Sequence, residues 1–494
     1  MREPIVVVAV DLGAESGRVA AGRFDGTRLE LAIHHRFPNQ STLVGGWRRW
    51  DVDKLWREIS LGLATVAETT PVLSVGVDTW GVDYGLYGYD GQLLENPVAY
   101  RDEHRIAVFE RTMRQLGAGR IYGATGIQLM EINSLFGLIA EAELRPDLLD
   151  RAERMLMMPD VFHNLLSGSI VTESSAASTS GMYDMAQGRW ARALIESAAL
   201  PARIFPEVVA AGTDVGPVIG DLAASGLAGT RVVLPPAHDT ASAVLAIPDA
   251  TSDTLFISSG TWSLVGVVLD APLITKASQA ANLTNEGGYQ NTVRFLRNVM
   301  GLWVVQECRR QWQRDGYNVD YQELVELARA EAPLRSLINP NATEFLAPGN
   351  MPERIRAYCR RHQTAVPDTI GQVVRTVIDS LALTYRLAEE DIAAVTGVPI
   401  RSVAVVGGGG ENSLLQQATA DATGLPVVCW AKEAAALGNA ASQLRSLGEL
   451  GSVREIWEVV RASTATRTFE PHSTDPWDEA AAALRVLERT EARV

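Results

Sequence analysis

Residues 6–26, VVVAVDLGAESGRVAAGRFDG, place an apolar run before a short turn and a second apolar run after it. The β-branched residues Val6, Val7, Val8 and Val10 fit a buried strand that stops at Asp11. The same pattern returns at residues 253–272, DTLFISSGTWSLVGVVLDAP, where Gly260 aligns with Gly13 and Ser263 with Ser16. In both, a glycine lets the chain reverse without a Cβ clash, and a serine hydroxyl and turn N–H groups are free to meet an anion. One such hairpin is weak evidence. Its recurrence at about half the chain length predicts two homologous halves whose phosphate turns face each other.

Each half continues alike. Leu73–Asp78 is strand-like, and Asp51 precedes a helical pattern as an N-cap. Residues 372–396 carry Val374/Ile378 and Val377/Leu381/Tyr385 at four-residue spacing, which predicts an amphipathic helix. The strand Val403–Val406 follows, then four glycines, Gly407–Gly410. Alternating strands and helices predict an α/β architecture. With 494 residues the chain is too long for one core. Proline and turn formers at residues 245–252 mark the boundary, giving domains 1–247 and 248–450 and a helical tail 451–494.

A net charge of −15 argues against nucleic acid or an anionic membrane surface as partner. Any phosphate ligand must then be held locally, by backbone N–H groups, a cation or a few placed arginines. Three widely spaced cysteines (Cys308, Cys359, Cys429) give neither a disulfide framework nor a metal cage. The apolar run Ile5–Val10 is too short for a signal peptide or a membrane span, so a cytoplasmic protein is expected.

Several positions can carry chemistry. The glycine run 407–410 lets backbone approach a ligand at a helix start, yet it matches neither the dinucleotide fingerprint nor a Walker A loop. Asp11, beside a phosphate-type turn, is either a Mg²⁺ holder or a turn-stabilising side chain. Arg18 is either a fixed positive charge for phosphate or a solvated surface residue. In PPAHDTASAV (235–244), Asp239 follows a strand and precedes small residues, and local pattern favours a helix cap over a catalytic base. Asp78–Asp83 (DTWGVD) and Ala99–Asp102 mix aromatic faces with carboxylates, which suits a polyol or, blandly, core tryptophans with solvated acids.

Taken together the motifs resemble the FGGY family of carbohydrate kinases, within the actin/hexokinase/Hsp70 superfamily, and most closely its rhamnulokinase branch. The residues that carry this are AVDLGAESGRV (9–19), WDVDKLW (50–56), GVDTWGVDYGL (76–86), PVAYRD (97–102), LMMPDVFHNLLSG (156–168), HDTASAV (238–244), SSGTWSLVG (258–266), NLTNEGG (282–288), RNVMGLWVVQ (297–306) and VGGGGENSLL (406–415). The resemblance runs from about residue 6 to 445. It implies two ribonuclease-H-like domains flanking a catalytic cleft, and transfer of the ATP γ-phosphoryl group to O1 of the ketose L-rhamnulose. It implies Asp239 as proton acceptor, with Gly81, His238, Asp239, Thr240 and Asn298 at the sugar. Ala14, Glu15, Ser16, Gly17 and Arg18 would form the first phosphate turn, Thr261, Gln306 and Gly408 would contact nucleotide, and Asp11 would hold Mg²⁺ through water.

Two departures stand out. Tyr100-Arg101-Asp102-Glu103-His104 puts histidine where the family's sugar element has arginine, leaving Arg105 or Arg101 as stand-ins. Gly410 replaces a polar or sulfur residue and is expected to be neutral. The alternatives are another ketose (L-fuculose or a xylulose), an ATPase switch of the actin or Hsp70 kind, and an idle sensor. A monomer or homodimer is expected.

Overall fold

Both hairpins are present in the computed structural model, which describes residues 3–491. β1 (Ile5–Leu12) and β2 (Ser16–Phe24) pair antiparallel, with Asp11 opposite Arg18. With β3 (Leu29–Pro38), β4 (Ser74–Thr79), β5 (Asp214–Pro217) and β6 (Arg231–Val233) they form a sheet in the order β5-β6-β4-β1-β2-β3. β4 runs parallel to β1, and β6 parallel to β4. Residues 6–12 are buried throughout rather than alternately, as expected for a strand covered on both faces. Asp51 caps α1 (Val52–Ala67) by accepting Lys54 N–H at 2.9 Å. Asp102 caps α2 (Glu103–Thr112), and α3 (Asp239–Leu245) begins where the PPAHD segment ends.

The second hairpin is β7 (Thr254–Ser259) with β8 (Trp262–Leu269), again antiparallel. β9 (Val293–Met300), β10 (Ser402–Val406), β11 (Val427–Cys429) and β12 (Arg467–Phe469) extend it to a seven-stranded sheet, in which a short strand at Thr284–Gly287 forms one edge and the order inward from it is β9-β8-β7-β10-β11-β12. β10 runs parallel to β7, and β11 parallel to β10. In each sheet two later strands add in parallel beyond the first strand of the hairpin, and an antiparallel strand closes that edge. The predicted duplication lies in topology as well as in motif. α4 (Trp303–Arg314) and α5 (Ile370–Thr396) belong here, and α5 is capped by Thr369 and stopped by Gly397 at φ 72°.

By contacts, one compact unit comprises Met1–Asp249, Val268–Phe295 and Glu433–Thr464; the other comprises Ala250–Val267, Leu296–Lys432 and Ala465–Val494. The first unit thus contains α6 (Ala434–Ser446) and α7 (Val453–Ser463), although both are distant in sequence. The tail is helical in α7 and in α8 (Asp475–Glu491), with β12 between them as a strand that the sequence pattern did not reveal.

α6 is held on the first sheet by two buried amides one turn apart. Gln443 donates to the Val8 carbonyl at 3.0 Å and accepts from the Ser74 hydroxyl at 2.6 Å. Asn439 donates to the Gly76 carbonyl at 3.1 Å. A Cβ on Gly76 would lie 2.9 Å from Asn439 Oδ1, so the sheet needs glycine there. α6 also meets α3: a Cβ on Gly438 would lie 1.8 Å from the Ser242 carbonyl oxygen. Helix propensity alone would make Gly438→Ala stabilising by about 1 kcal/mol. The backbone clash outweighs this, and the variant is expected to lose about 1–3 kcal/mol of unfolding free energy, read from urea denaturation. An unchanged midpoint would contradict the close approach.

Candidate active site

Parallel pairing of β1 with β4 sets Asp11 beside Asp78, and both are buried. Across the hairpin, Arg18 Nη1 donates to Asp11 Oδ2 at 2.8 Å and to Glu433 Oε2 at 2.9 Å. Arg36 donates to the other Glu433 oxygen at 2.7 Å. Arg18 is therefore no solvated surface residue; its charge is shared between two carboxylates. Asp78 Oδ2 accepts from Asn439 Nδ2 at 2.6 Å, while Oδ1 is buried with no partner among the described residues. Burial pushes the Asp11 carboxyl up to about 6, against the pull of Arg18 and with help from the negative charge of Asp239. Burial, then Asp11, pushes Asp78 well above the usual carboxylate range.

These donors are all oxygen, and one of them is unpartnered, which fits a hard cation. No group of three or more His, Cys, Asp or Glu side chains able to hold a metal occurs among the described residues. The fit is to an ion that keeps most of its own water, not to a protein cage.

Asp239 is the first residue of α3, and the cap position belongs to His238, so the locally favoured cap assignment is corrected. Its Oδ1 accepts Thr240 N–H at 2.5 Å and the Thr240 hydroxyl at 3.2 Å, and lies 3.4 Å from His238 Nε2. Oδ2 receives no hydrogen bond among the described residues, and the side chain is 30 % exposed. The segment leading to it is tied down. Buried Glu173 accepts Ala237 N–H at 3.0 Å, Ser175 Oγ accepts His238 N–H at 3.1 Å, and Thr79 N–H donates to the Ala237 carbonyl at 2.9 Å.

Gly81 follows β4 in a tight turn. Val82 there has φ 66°, a strained value for a β-branched residue, held by Thr179 Oγ1 (2.9 Å) on its N–H and Ser134 Oγ (2.6 Å) on its carbonyl. Next to it, Asp83 is fully buried, not solvated. Asp83 Oδ2 accepts from the indoles of Trp50 (2.6 Å) and Trp80 (2.9 Å), and Oδ1 from Arg105 Nη2 at 2.8 Å. Arg105 donates further to the carbonyls of Val98 and Ile132, both at 2.9 Å, so it is a buried strut. His104 stacks on Trp47 with ring centroids 3.9 Å apart, and its Nδ1 meets Asp102 at 2.7 Å. Arg101 Nε donates to the Tyr100 hydroxyl at 3.2 Å.

In the second unit, Thr261 sits in the β7–β8 turn and its carbonyl accepts Trp303 N–H at 3.2 Å. That contact brings the turn to the start of α4, whose first turn contains Gln306. Asn298 lies on β9 in the same unit, half-buried. The glycine run packs on Ser259: a Cβ on Gly409 would sit 2.0 Å from Ser259 Oγ, whereas Gly408 is exposed and clear. At Gly410 a Cβ would make only ordinary contacts, from 3.7 Å.

Sequence reasoning missed Glu433, Asn439 and Glu173. Each is an ordinary residue in its own stretch and acquires meaning only through a partner 64 to 415 positions away. Nothing local marks them.

Comparison with known proteins agrees with this geometry. Residues 6–246 match the N-terminal domain, and residues 255–447 the C-terminal domain, of the FGGY family of carbohydrate kinases. The chain is 40 % identical over 474 residues to a rhamnulokinase of Bacteroides thetaiotaomicron, covering 96 % of this chain and 97 % of that one. It is 38 % identical over 469 residues to a rhamnulokinase of Yersinia pestis (strain Pestoides F), covering 94 % and 95 %. Among solved structures, a ligand-bound xylulose kinase from Lactobacillus acidophilus superimposes with a TM-score of 0.82 at 13 % identity, over 99 % of this chain and 98 % of that one. Plasmodium falciparum glycerol kinase with ADP gives 0.78 at 14 %, over 99 % and 98 %.

Proposed function

The chain belongs to the FGGY family of carbohydrate kinases, and on that premise we propose that it phosphorylates L-rhamnulose at O1, with Asp239 as general base. It is a sugar kinase, with a sugar and ATP as substrates. The observation that carries the finer reading is the division of labour within one carboxylate. Oδ1 of Asp239 is engaged by protein donors, whereas Oδ2 is bare on a partly exposed side chain at a fixed strand end. Such an oxygen can take a hydroxyl proton within hydrogen-bond reach.

In the proposed step the O1–P bond forms as the bond from the γ-phosphorus to the ADP oxygen breaks, and the O1 proton passes to Asp239. Gly81, His238, Thr240 and Asn298 orient the sugar. Residues Ala14 to Arg18, with Thr261, Gln306 and Gly408, hold the nucleotide. When Mg²⁺ is bound it neutralises phosphate charge; Asp11, with Asp78 beside it, would hold it through water. No helix among the described residues is long and apolar enough to cross a membrane. A cytoplasmic monomer or homodimer completes the reading.

Similarity to curated rhamnulokinases along nearly the whole chain favours L-rhamnulose over the other ketoses. An ADP-release assay over L-rhamnulose, L-fuculose, L-xylulose and D-xylulose tests this. The xyluloses lack the terminal methyl carbon, and one such group is worth about 10–200-fold in discrimination. L-rhamnulose is expected to lead the two xyluloses in kcat/KM by that margin, and to exceed L-fuculose. A xylulose or L-fuculose in first place would change the substrate, and ADP release independent of any ketose would point to an ATPase switch.

A further inference from the structure

Arg294, near the start of β9 and grouped with the first unit, is 1 % exposed and has no part in the reaction as described so far. Its Nε donates to the Gly287 carbonyl at 2.9 Å, and Nη1 lies 3.3 Å from Glu286 Oε2. Nη2 lies 3.0 Å from His238 Nδ1. A guanidinium has donors only, so the Nδ1 facing it must present its lone pair. The ring hydrogen is then on Nε2, the nitrogen 3.4 Å from Asp239 Oδ1.

The opposite tautomer would set an Nδ1–H against the Arg294 donors and an Nε2 lone pair against the carboxylate. Both contacts would become repulsive. Glu286 Oε2, 3.5 Å from Nδ1, is an acceptor that could reward an Nδ1–H, but it is farther than the guanidinium.

We propose that Arg294 is a positioning residue: it holds His238 in the Nε2–H tautomer, so that the imidazole joins Thr240 on Oδ1 of Asp239 and leaves Oδ2 to receive the sugar proton. This rests on Asp239 being the base and deepens that reading. The family resemblance gives His238 a sugar contact, and nothing in it gives Arg294 a part. An arginine that merely neutralised Glu286 would leave the imidazole hydrogen unspecified; here its position follows from the donor geometry.

The test combines ¹⁵N-histidine NMR with kinetics on L-rhamnulose and ATP. The chain has seven histidines, and the difference between wild-type and His238→Gln spectra identifies the His238 signals. In the wild type, His238 is expected to show a protonated Nε2 and a bare Nδ1. Arg294→Met is expected to mix or reverse the tautomers and to lower kcat about 10–100-fold, with KM for ATP unchanged. Arg294→Lys, which keeps a donor for Nδ1, is expected to recover most of both signals.

An Nδ1–H tautomer or an imidazolium in the wild type overturns the proposal, whether or not the variants fold. So does a kcat within twofold of wild type in Arg294→Met with the tautomer changed. Full activity of Asp239→Asn would instead sink the base assignment itself, leaving the tautomer result standing. The two failures are thus distinguishable.

Discussion

Asp239→Asn is expected to lower kcat for ketose phosphorylation by about 10²–10⁴-fold, with nucleotide affinity within twofold of wild type. The loss corresponds to about 2.7–5.5 kcal/mol of transition-state stabilisation. Asparagine keeps the size of the side chain, and its oxygen can still accept the Thr240 N–H that Asp239 takes at 2.5 Å. At the Oδ2 position it offers an amide with no lone pair for a proton. Geometry is preserved and only the base is removed. A second consequence follows from charge: Asp239 helps raise the Asp11 carboxyl, so its neutralisation should let that carboxyl fall below about 6. Stopped-flow kinetics and calorimetric titration with ADP separate the two readouts. Turnover retained at the wild-type level would take Asp239 out of the chemistry.

The sequence made the duplicated scaffold legible because its signals are local. Val6–Val10 and Leu255–Ile257 are short β-branched or apolar runs ended by a glycine turn, and each becomes the first strand of its sheet. Asp239 was legible only through family resemblance. On local pattern it reads as a cap, and the structure gives that position to His238. What holds the site together was not legible. Glu433 reaches Arg18 from 415 residues away, and Asn439 reaches Asp78 from 361. α6 reads as an unremarkable alanine-rich helix until Gly438 and Asn439 meet α3 and β4. Periodicity reports which face of an element is buried. It does not report which distant element covers it, and the polar contacts that position a carboxylate belong to that second kind of information.

The question left by His104 resolves into an expected result for its neighbour. Arg105→Met is expected to cost about 3–5 kcal/mol of stability, because it leaves Asp83 as an uncompensated buried charge. Asp83 is fully buried, and its carboxyl is already raised by burial, against the pull of Arg105 and the indole hydrogen bonds. Without the guanidinium, the carboxylate must either ionise unpaired or take up a proton. Protonation would give up charge-assisted bonds from Trp50 at 2.6 Å and Trp80 at 2.9 Å. Asp83→Asn combined with Arg105→Met removes both charges. That pair should recover much of the loss, with a coupling energy of about 0.5–3 kcal/mol in a double-mutant cycle. Urea denaturation followed by tryptophan fluorescence suits the measurement, since two indoles bond directly to the carboxylate. The rival view, in which Arg105 replaces the family's sugar-site arginine, predicts the reverse: a raised KM for the ketose, little change in unfolding, and no rescue by Asp83→Asn. The donors that Arg105 sends to Val98 and Ile132 carbonyls end inside the protein, which is why the stability effect is expected to dominate.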